Sequence, residues 1–414
     1  MQSKPRKILV ITGVFPPMAI AEADHIARLA DELGKAGYLV DVLTSAVANI
    51  PATQHCTVHP VMTGWKWRDR ASLRRVASQI RPDVVFIWFV GPAFEFHPMI
   101  TFAASELKRA LPGVRIITQV TAPLGARPKQ FPLSSRLLRK AVALDSGREH
   151  VDYEFGTLLR DSDRVVAMAG PHLKRLAALA PNLEAKSAII PPPPLIVMSE
   201  PGEASRKRGR EMLKAKDDDL VFVYFGRLYQ GKGLESLIEA YARVRAAVSN
   251  TRLAIIGGPV IDRGDGWKVE NLYAQADRLG LADSISWSGE FAFDSDAGSL
   301  YLRAGDIAVL PFAEGAALNN SSLAAAASHG LPVITTSGDH PERDLADGKN
   351  MLIVPPSDAD ALADAMIRLA GDPGLQTKLR DGIERLAATH FTWSGSVAST
   401  VAVIEDALGA SEAA

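Results

Sequence analysis

The stretch Leu220-Val221-Phe222-Val223-Tyr224-Phe225-Gly226-Arg227-Leu228-Tyr229-Gln230-Gly231-Lys232-Gly233 runs from six apolar residues into a turn with three glycines, directly ahead of a helical period over 234–248. A short apolar run bounded by turn signals reads as a buried strand. Strand, glycine turn and helix in succession are the repeating unit of parallel α/β sheets. Gly226 lets the chain turn without a side chain in the way, and Gly231 and Gly233 let backbone N–H groups approach an anion at the helix N-terminus. Arg227 offers a fork of donors suited to a diphosphate, and Lys232 adds a mobile point charge. The same pattern also fits a glycine turn with two solvated cations. It is not a P-loop, because the Gly-x4-Gly-Lys-Ser/Thr order is absent, and no Gly-x-Gly-x-x-Gly follows the first strand of the chain.

A second stretch downstream has matching chemistry. Val309-Leu310-Pro311-Phe312-Ala313-Glu314-Gly315 ends a strand and enters the loop Ala316-Ala317-Leu318-Asn319-Asn320, which leads into a helix beginning Ser321-Ser322-Leu323 and stopping at His329-Gly330. Ser321 or Ser322 is a natural N-cap, and the unpaired N–H groups behind it form a second anion cradle. Glu314, at a strand's carboxyl end, is placed to accept hydrogen bonds from hydroxyls; as structure alone it is an exposed loop acid.

Outward from these stretches the same grammar extends over the chain. In the first half, strands are expected at 7–15, 39–44, 84–89, 115–120, 164–168 and 187–190, with a helix at 21–36. Four prolines at 191–194 break the pattern and favour a stiff extended segment. In the second half, strands at 220–225, 252–256, 284–288, 306–311, 333–336 and 351–354 alternate with helices, including 206–215, 268–279, 321–328, 359–370, 374–389 and 394–408. The fold class is α/β: two Rossmann-like domains with parallel sheets, expected to face each other across a central cleft. The boundaries are 1–195 for the N-terminal domain, 196–218 for a linker, 219–391 for the C-terminal domain and 392–414 for a last helix.

Composition agrees and narrows the classes. With 414 residues, 47% hydrophobic and 22% charged, each domain is large enough to bury its own core. The single cysteine, Cys56, excludes a disulfide framework or a Cys-rich metal site and fits a reducing cytoplasm. No apolar run approaches the length of a membrane span. The net charge of −1 conceals an asymmetry: residues 1–200 hold 25 Lys and Arg against 17 Asp and Glu, and the remainder 21 against 30. A basic first half suggests an anionic partner, with drift between two domains as the plain alternative.

Other residues carry two readings each. His97, in Phe94-Glu95-Phe96-His97-Pro98, follows a strand's carboxyl end and either faces the cleft or makes a local helix-entry hydrogen bond. His25 reads as structural. Trp65-Lys66-Trp67-Arg68 with Arg70, Arg74 and Arg75, and the stretch 129–140 with Arg136 and Arg139, combine aromatics and cations in the manner of interfacial segments, or are solvated helix faces. No His/Asp/Glu cluster has metal-ligand spacing.

Taken together, Gly226-Arg227-x4-Lys232-Gly233 and Pro311-x2-Glu314-Gly315 followed by Gly330-Leu331-Pro332-Val333 resemble the donor domain of family 4 retaining glycosyltransferases, which have the GT-B fold. Phe15-Pro16-Pro17, Gly37-Tyr38-Leu39-Val40 and Phe391-Thr392-Trp393 extend the resemblance over nearly the whole chain. It implies a metal-independent hexosyl transfer from a nucleotide-diphosphate sugar, UDP or GDP, to a glycan or lipid-linked acceptor in bacterial surface polysaccharide or glycolipid synthesis. No cofactor and no nucleic acid is implied. The resemblance also implies a cytoplasmic location, with the basic N-domain available for peripheral contact with the inner face of the plasma membrane.

By position, the catalytic residues implied are Arg227, Lys232 and Glu314. The donor-binding set is Gly13, Gly226, Arg227, Lys232, Gly257, Gly258, Glu314, Leu318, Asn319, Asn320, Ser321 and Ser322, with Gly257-Gly258 near the base. Acceptor-side candidates are Glu22, His97 and Thr121, and the last helix should cross back onto the N-domain. Three positions depart from the family pattern: Ser322 replaces the second glutamate of Glu-x7-Glu, Ile20-Ala21 replaces paired glycines, and Thr118-Gln119-Val120-Thr121 lacks a histidine. These departures keep open two alternatives, an epimerase or hydrolase on the same fold and an inactive sugar-nucleotide-binding partner.

Overall fold

The computed structural model describes all residues except 1–4, 19, 122–136, 138, 139, 141–143, 145, 146, 148–150, 153, 261–265, 293 and 410–414. The chain divides into two compact units, Met1–Ile190 with Ser396–Ala414, and Pro191–Gly395.

The first unit is built on a seven-stranded parallel sheet of β1 (Lys7–Thr12), β2 (Leu39–Ser45), β3 (Cys56–Met62), β4 (Val84–Phe89), β5 (Arg115–Val120), β6 (Arg164–Ala167) and β7 (Ser187–Ile189). Their order is β3-β2-β1-β4-β5-β6-β7, so the winding reverses between β1 and β4, where Ile11 pairs with Ile87. At such a switch point the loops leaving the two strands part and open a crevice at their carboxyl ends. All six residues of β4, Val-Val-Phe-Ile-Trp-Phe, are buried, as a strand covered on both faces requires. The edge strand β3 is the element the hydrophobic pattern does not announce. Its sequence Cys-Thr-Val-His-Pro-Val-Met is half exposed and contains Pro60, which a sheet tolerates at an edge.

The last helix, Trp393–Gly409, ends as part of this first unit. Ile404 and Ala407 are fully buried in one cluster with Ile8, Val10, Phe86 and Trp88. The Tyr38 hydroxyl donates to Glu405, and Arg164 pairs with Asp406. The resemblance had implied this return of the chain to the N-terminal sheet.

The second unit repeats the plan with β8 (Leu220–Phe225), β9 (Thr251–Ile256), β10 (Ile285–Trp287), β11 (Ile307–Leu310), β12 (Val333–Thr336) and β13 (Leu352–Val354), ordered β10-β9-β8-β11-β12-β13. Its winding reverses between β8 and β11. The segment 196–218, read from sequence as a linker, is part of this unit. Its helix Glu203–Leu213 lies so close to the helix Ala297–Ala304 that a Cβ on Gly209 would stand 2.0 Å from the Leu300 carbonyl oxygen. Arg206 and Arg210 converge on the Asp306 carboxylate at 2.5 and 3.0 Å, which also accepts the Val221 amide at 2.8 Å. Among the described residues no helix is long and apolar enough to cross a membrane.

Candidate functional site

The switch point of the second unit brings the two quoted stretches together. Beyond β8 the Gly226 amide donates to the Ile256 carbonyl at 2.9 Å and the Leu228 amide to Gly258 at 3.0 Å, so the turn stays fastened to the end of β9. Gly226 has φ +141°, and a Cβ there would lie 2.5 Å from Ser322 Oγ. Gly233, at φ +70°, would drive a Cβ to 1.8 Å from the Pro311 carbonyl oxygen. The Ala313 amide donates to the Gly231 carbonyl at 3.0 Å. The glycines are there because the turn after β8 is pressed against both the loop after β11 and the first turn of the helix Ser321–Ser328.

Each cation of the turn is held differently. Arg227 Nη1 donates to Glu290 Oε1 at 2.7 Å, both side chains remaining largely in water. Lys232 Nζ stands between two rings, 4.8 Å from the centroid of Tyr229 and 4.9 Å from that of Phe312. Ring faces hold an ammonium without neutralising it. Among the described residues no carboxylate pairs with Lys232, so its charge is available to an anion. Glu314 is exposed and has no hydrogen bond or ion pair with a described residue.

The helix that follows spans Ser321–Ser328, as expected, but its cap differs. Its N-cap is Asn320, whose Oδ1 accepts the Ala317 amide at 2.7 Å, rather than Ser321 or Ser322. Ser321 is exposed, and Ser322 is buried against Gly226. Leu318 is buried and its amide donates to Glu342 Oε1 at 3.1 Å, while Asn319 is half-buried. At the far end of the helix His329 accepts at Nε2 from Ser299 Oγ at 2.7 Å and donates from Nδ1 to the Ala325 carbonyl at 2.8 Å. Ser299 Oγ pairs with Ser199 Oγ at 2.9 Å, and Ser199 Oγ accepts from Arg303 Nε at 3.0 Å. Burial lowers the His329 pKa to about 4, which keeps it neutral and fixes this chain of donors.

Glu290, Glu342, Tyr229 and Phe312 belong to the neighbourhood and were not singled out in the sequence. Glu290 had a usable signal, since it lies in the loop leaving the carboxyl end of β10. Gly257 and Gly258 stand where expected, at the end of β9; a Cβ on Gly257 would meet the Gly226 carbonyl oxygen at 2.2 Å and one on Gly258 the Glu290 Cβ at 2.8 Å.

The remaining candidates are in the first unit. Gly13 leaves β1 so close to Ala93 that a Cβ would meet its carbonyl oxygen at 2.0 Å. Glu22, in the first turn of the helix Ala21–Lys35, lines a cavity at the same strand ends. His97 accepts the Met99 amide at Nδ1 (3.1 Å) and sets its ring 5.5 Å from that of Trp67, the local arrangement of a helix-entry histidine. Thr121 follows β5 directly and its Oγ1 is buried with no partner among the described residues. His25 is buried edge-on to Trp88 and its pKa is pushed down to about 3, chiefly by burial.

The aromatic and basic segment divides between core and surface, with Arg68 and Arg75 exposed. Trp65 is buried, Lys66 pairs with Glu95, and Arg70 and Arg74 both engage Glu106. Arg136 and Arg139 lie outside the described residues, as does most of 129–140. Among the described residues no three His, Cys, Asp or Glu side chains stand together as a metal site would require.

Residues 219–372 match the family "Glycosyl transferases group 1". The match lies wholly within the second unit. That span contains the turn after β8, the Glu290 loop and the Glu314 loop. Among curated relatives, the D-inositol 3-phosphate glycosyltransferase of Segniliparus rotundus is 32% identical over 32% of this chain, and the lipopolysaccharide core biosynthesis glycosyltransferase LpsE of Rhizobium meliloti is 30% identical over 42%. The chain spans 28% and 46% of the lengths of these two relatives. Among solved structures, Anabaena HepE, in complex with UDP and glucose, superposes with a TM-score of 0.70 at 15% identity, covering 97% of this chain and 100% of that one. This likeness shows the fold, which is the GT-B class with two Rossmann-like domains.

Proposed function

We propose that the protein is a retaining glycosyltransferase that moves a hexosyl group from a UDP- or GDP-sugar to a hydroxyl of a glycan or lipid-linked acceptor in surface polysaccharide or glycolipid assembly. The observation that carries this reading is the pairing of Arg227 and Lys232 on a glycine turn at the switch point of the group 1 domain, pressed against the first turn of the helix Ser321–Ser328. Arg227, Lys232 and the unpaired helix amides supply the positive charge that a departing diphosphate needs, a role a metal ion fills elsewhere. Glu314 accepts hydrogen bonds from the donor sugar. The bond from the anomeric carbon to the phosphate oxygen breaks, and its electron pair leaves with the nucleoside diphosphate. The acceptor oxygen attacks the same face of the sugar, and its proton passes to a phosphate oxygen of the donor. The acceptor is assigned to the first unit.

The test is thermal unfolding of the chain against UDP, GDP, ADP and their sugar conjugates. A ligand at a hundred times its Kd adds about 2.7 kcal/mol of stability. A rise in Tm with one base, lost in Arg227→Ala, together with transfer from that base's sugar conjugate, is the expected result. No rise with any nucleotide overturns the reading.

A further inference from the structure

Lys232 meets its two rings through features of the local chain. The Lys232 amide donates to the Tyr229 carbonyl at 3.2 Å, closing a four-residue turn over Tyr229-Gln230-Gly231-Lys232. Its third residue, Gly231, has φ +93°, the positive value that a type II turn demands there. No described residue lies within 4 Å of the place a Cβ on Gly231 would take, so this glycine serves conformation and not close approach. Such a turn brings its first and last residues side by side, and the Lys232 ammonium stands 4.8 Å from the centre of the Tyr229 ring.

The second ring comes from the loop after β11. The Phe312 amide donates to the Leu310 carbonyl at 3.0 Å, and the Phe312 carbonyl accepts from the Thr336 hydroxyl on β12. Phe312 is 4% exposed, so its ring is a fixed wall, 4.9 Å from the same ammonium. Both distances fall inside the roughly 6 Å over which a ring face attracts a cation.

A lysine side chain turns about four bonds and is strongly hydrated, so in water its charge has no fixed place. A carboxylate would fix that charge and cancel it in the same contact, as Glu290 does with Arg227. Two ring faces fix it and leave it whole. We propose that Tyr229 and Phe312 are positioning residues, which hold the Lys232 ammonium where the diphosphate of the donor binds. The diphosphate rests on the glycosyl-transfer reading; the clamp rests on the turn and the two rings alone.

The experiment is NMR of the full chain labelled with 13C-lysine, with the Lys232 ε-methylene signal assigned through Lys232→Arg and followed as inorganic pyrophosphate is added. Before pyrophosphate, the ring currents should place that signal upfield of the other lysines. Tyr229→Leu should move it back towards them, and Tyr229→Phe should leave it in place, because the ring face holds the ammonium and the hydroxyl does not. Phe312 belongs to the core, so it is replaced by 3,4,5-trifluorophenylalanine, which nearly keeps the ring's volume and strips its face of negative charge. Pyrophosphate should shift the Lys232 signal saturably. Its Kd should rise about two- to fivefold with Tyr229→Leu or with the fluorinated ring, and stay unchanged with Tyr229→Phe. A Lys232 signal lying among the other lysines, no response to pyrophosphate, or a Kd indifferent to both ring changes overturns the proposal. Nucleotide-induced stabilisation on the same samples tests the transfer reading separately. Its absence beside the expected pyrophosphate result removes that reading and leaves the clamp standing.

Discussion

The guanidinium of Arg227 lies 2.7 Å from the carboxylate of Glu290, across 63 positions of sequence. The side chain expected to meet a diphosphate is thus already occupied by an anion of its own domain. A phosphate that takes Arg227 competes with Glu290 for its charge and for Nη1.

Removing that competitor should therefore strengthen nucleotide binding. Both side chains are largely exposed, and such pairs are worth about 0.2–1 kcal/mol, so Glu290→Gln should tighten nucleoside diphosphate binding by about 1.5- to 5-fold. Isothermal titration calorimetry of wild type and variant at two salt concentrations checks this. The difference should shrink as salt rises. Weaker binding in the variant would instead make Glu290 a ligand for the nucleotide.

Lys232 stands between Tyr229 and Phe312, with no carboxylate partner among the described residues. Lys232→Ala should lower kcat for transfer by about 10²–10³-fold, the cost of losing one donor aimed at developing charge. Stability should hardly change, because exposed cation–π contacts are worth only about 0.5–1 kcal/mol. Steady-state kinetics beside a melting curve separate the two.

Ser322 occupies the position where the family resemblance expects a glutamate, and its Oγ is packed against Gly226. Restoring the acid should not restore a function. Ser322→Glu forces a carboxylate into a site 4% exposed, at a cost of about 2–4 kcal/mol, or several degrees in Tm. Nucleotide affinity should not improve. Ser322→Ala should be close to neutral, and thermal unfolding of both variants is the check.

Burial depresses four histidines from an ordinary 6.5: His25 to about 3, His172 and His329 to about 4, and His97 downward as well. The unfolded chain binds their protons first, so the stability they contribute is complete above pH 6.5 and is lost as the pH falls from 6.5 towards 4, and towards 3 for His25. For His329 alone the loss is about 3 kcal/mol at most. Urea unfolding at pH 7.5, 6 and 5 should show the decline, and His329→Gln should flatten its share of it.

The sheets were largely legible in the residues, because β4 and β8 are continuous apolar runs bounded by turn signals, and a strand covered on both faces leaves no other option. β3 was not legible: half exposed and interrupted by Pro60, it owes its conformation to the edge of β2 rather than to its own pattern. The turn 226–233 announced itself through glycines that the structure explains by close approach to Ser322 and Pro311. Its partners did not, since Glu290 reaches Arg227, and Glu342 reaches Leu318, only through the tertiary fold. The burial of Trp65 was not legible for a related reason: composition cannot tell a ring packed in the core from one left at the surface.

The last helix closes the core of the first unit after the chain has already built the second. The second unit is therefore an insert with two junctions, at 190/191 and 395/396, and both flanks of the insert belong to one sheet domain. A different domain spliced between the junctions would leave the first unit's hydrophobic cluster, including Ile404 and Ala407, whole. A chain cut at 395 would do the reverse, leaving the insert intact and uncovering the sheet that precedes it.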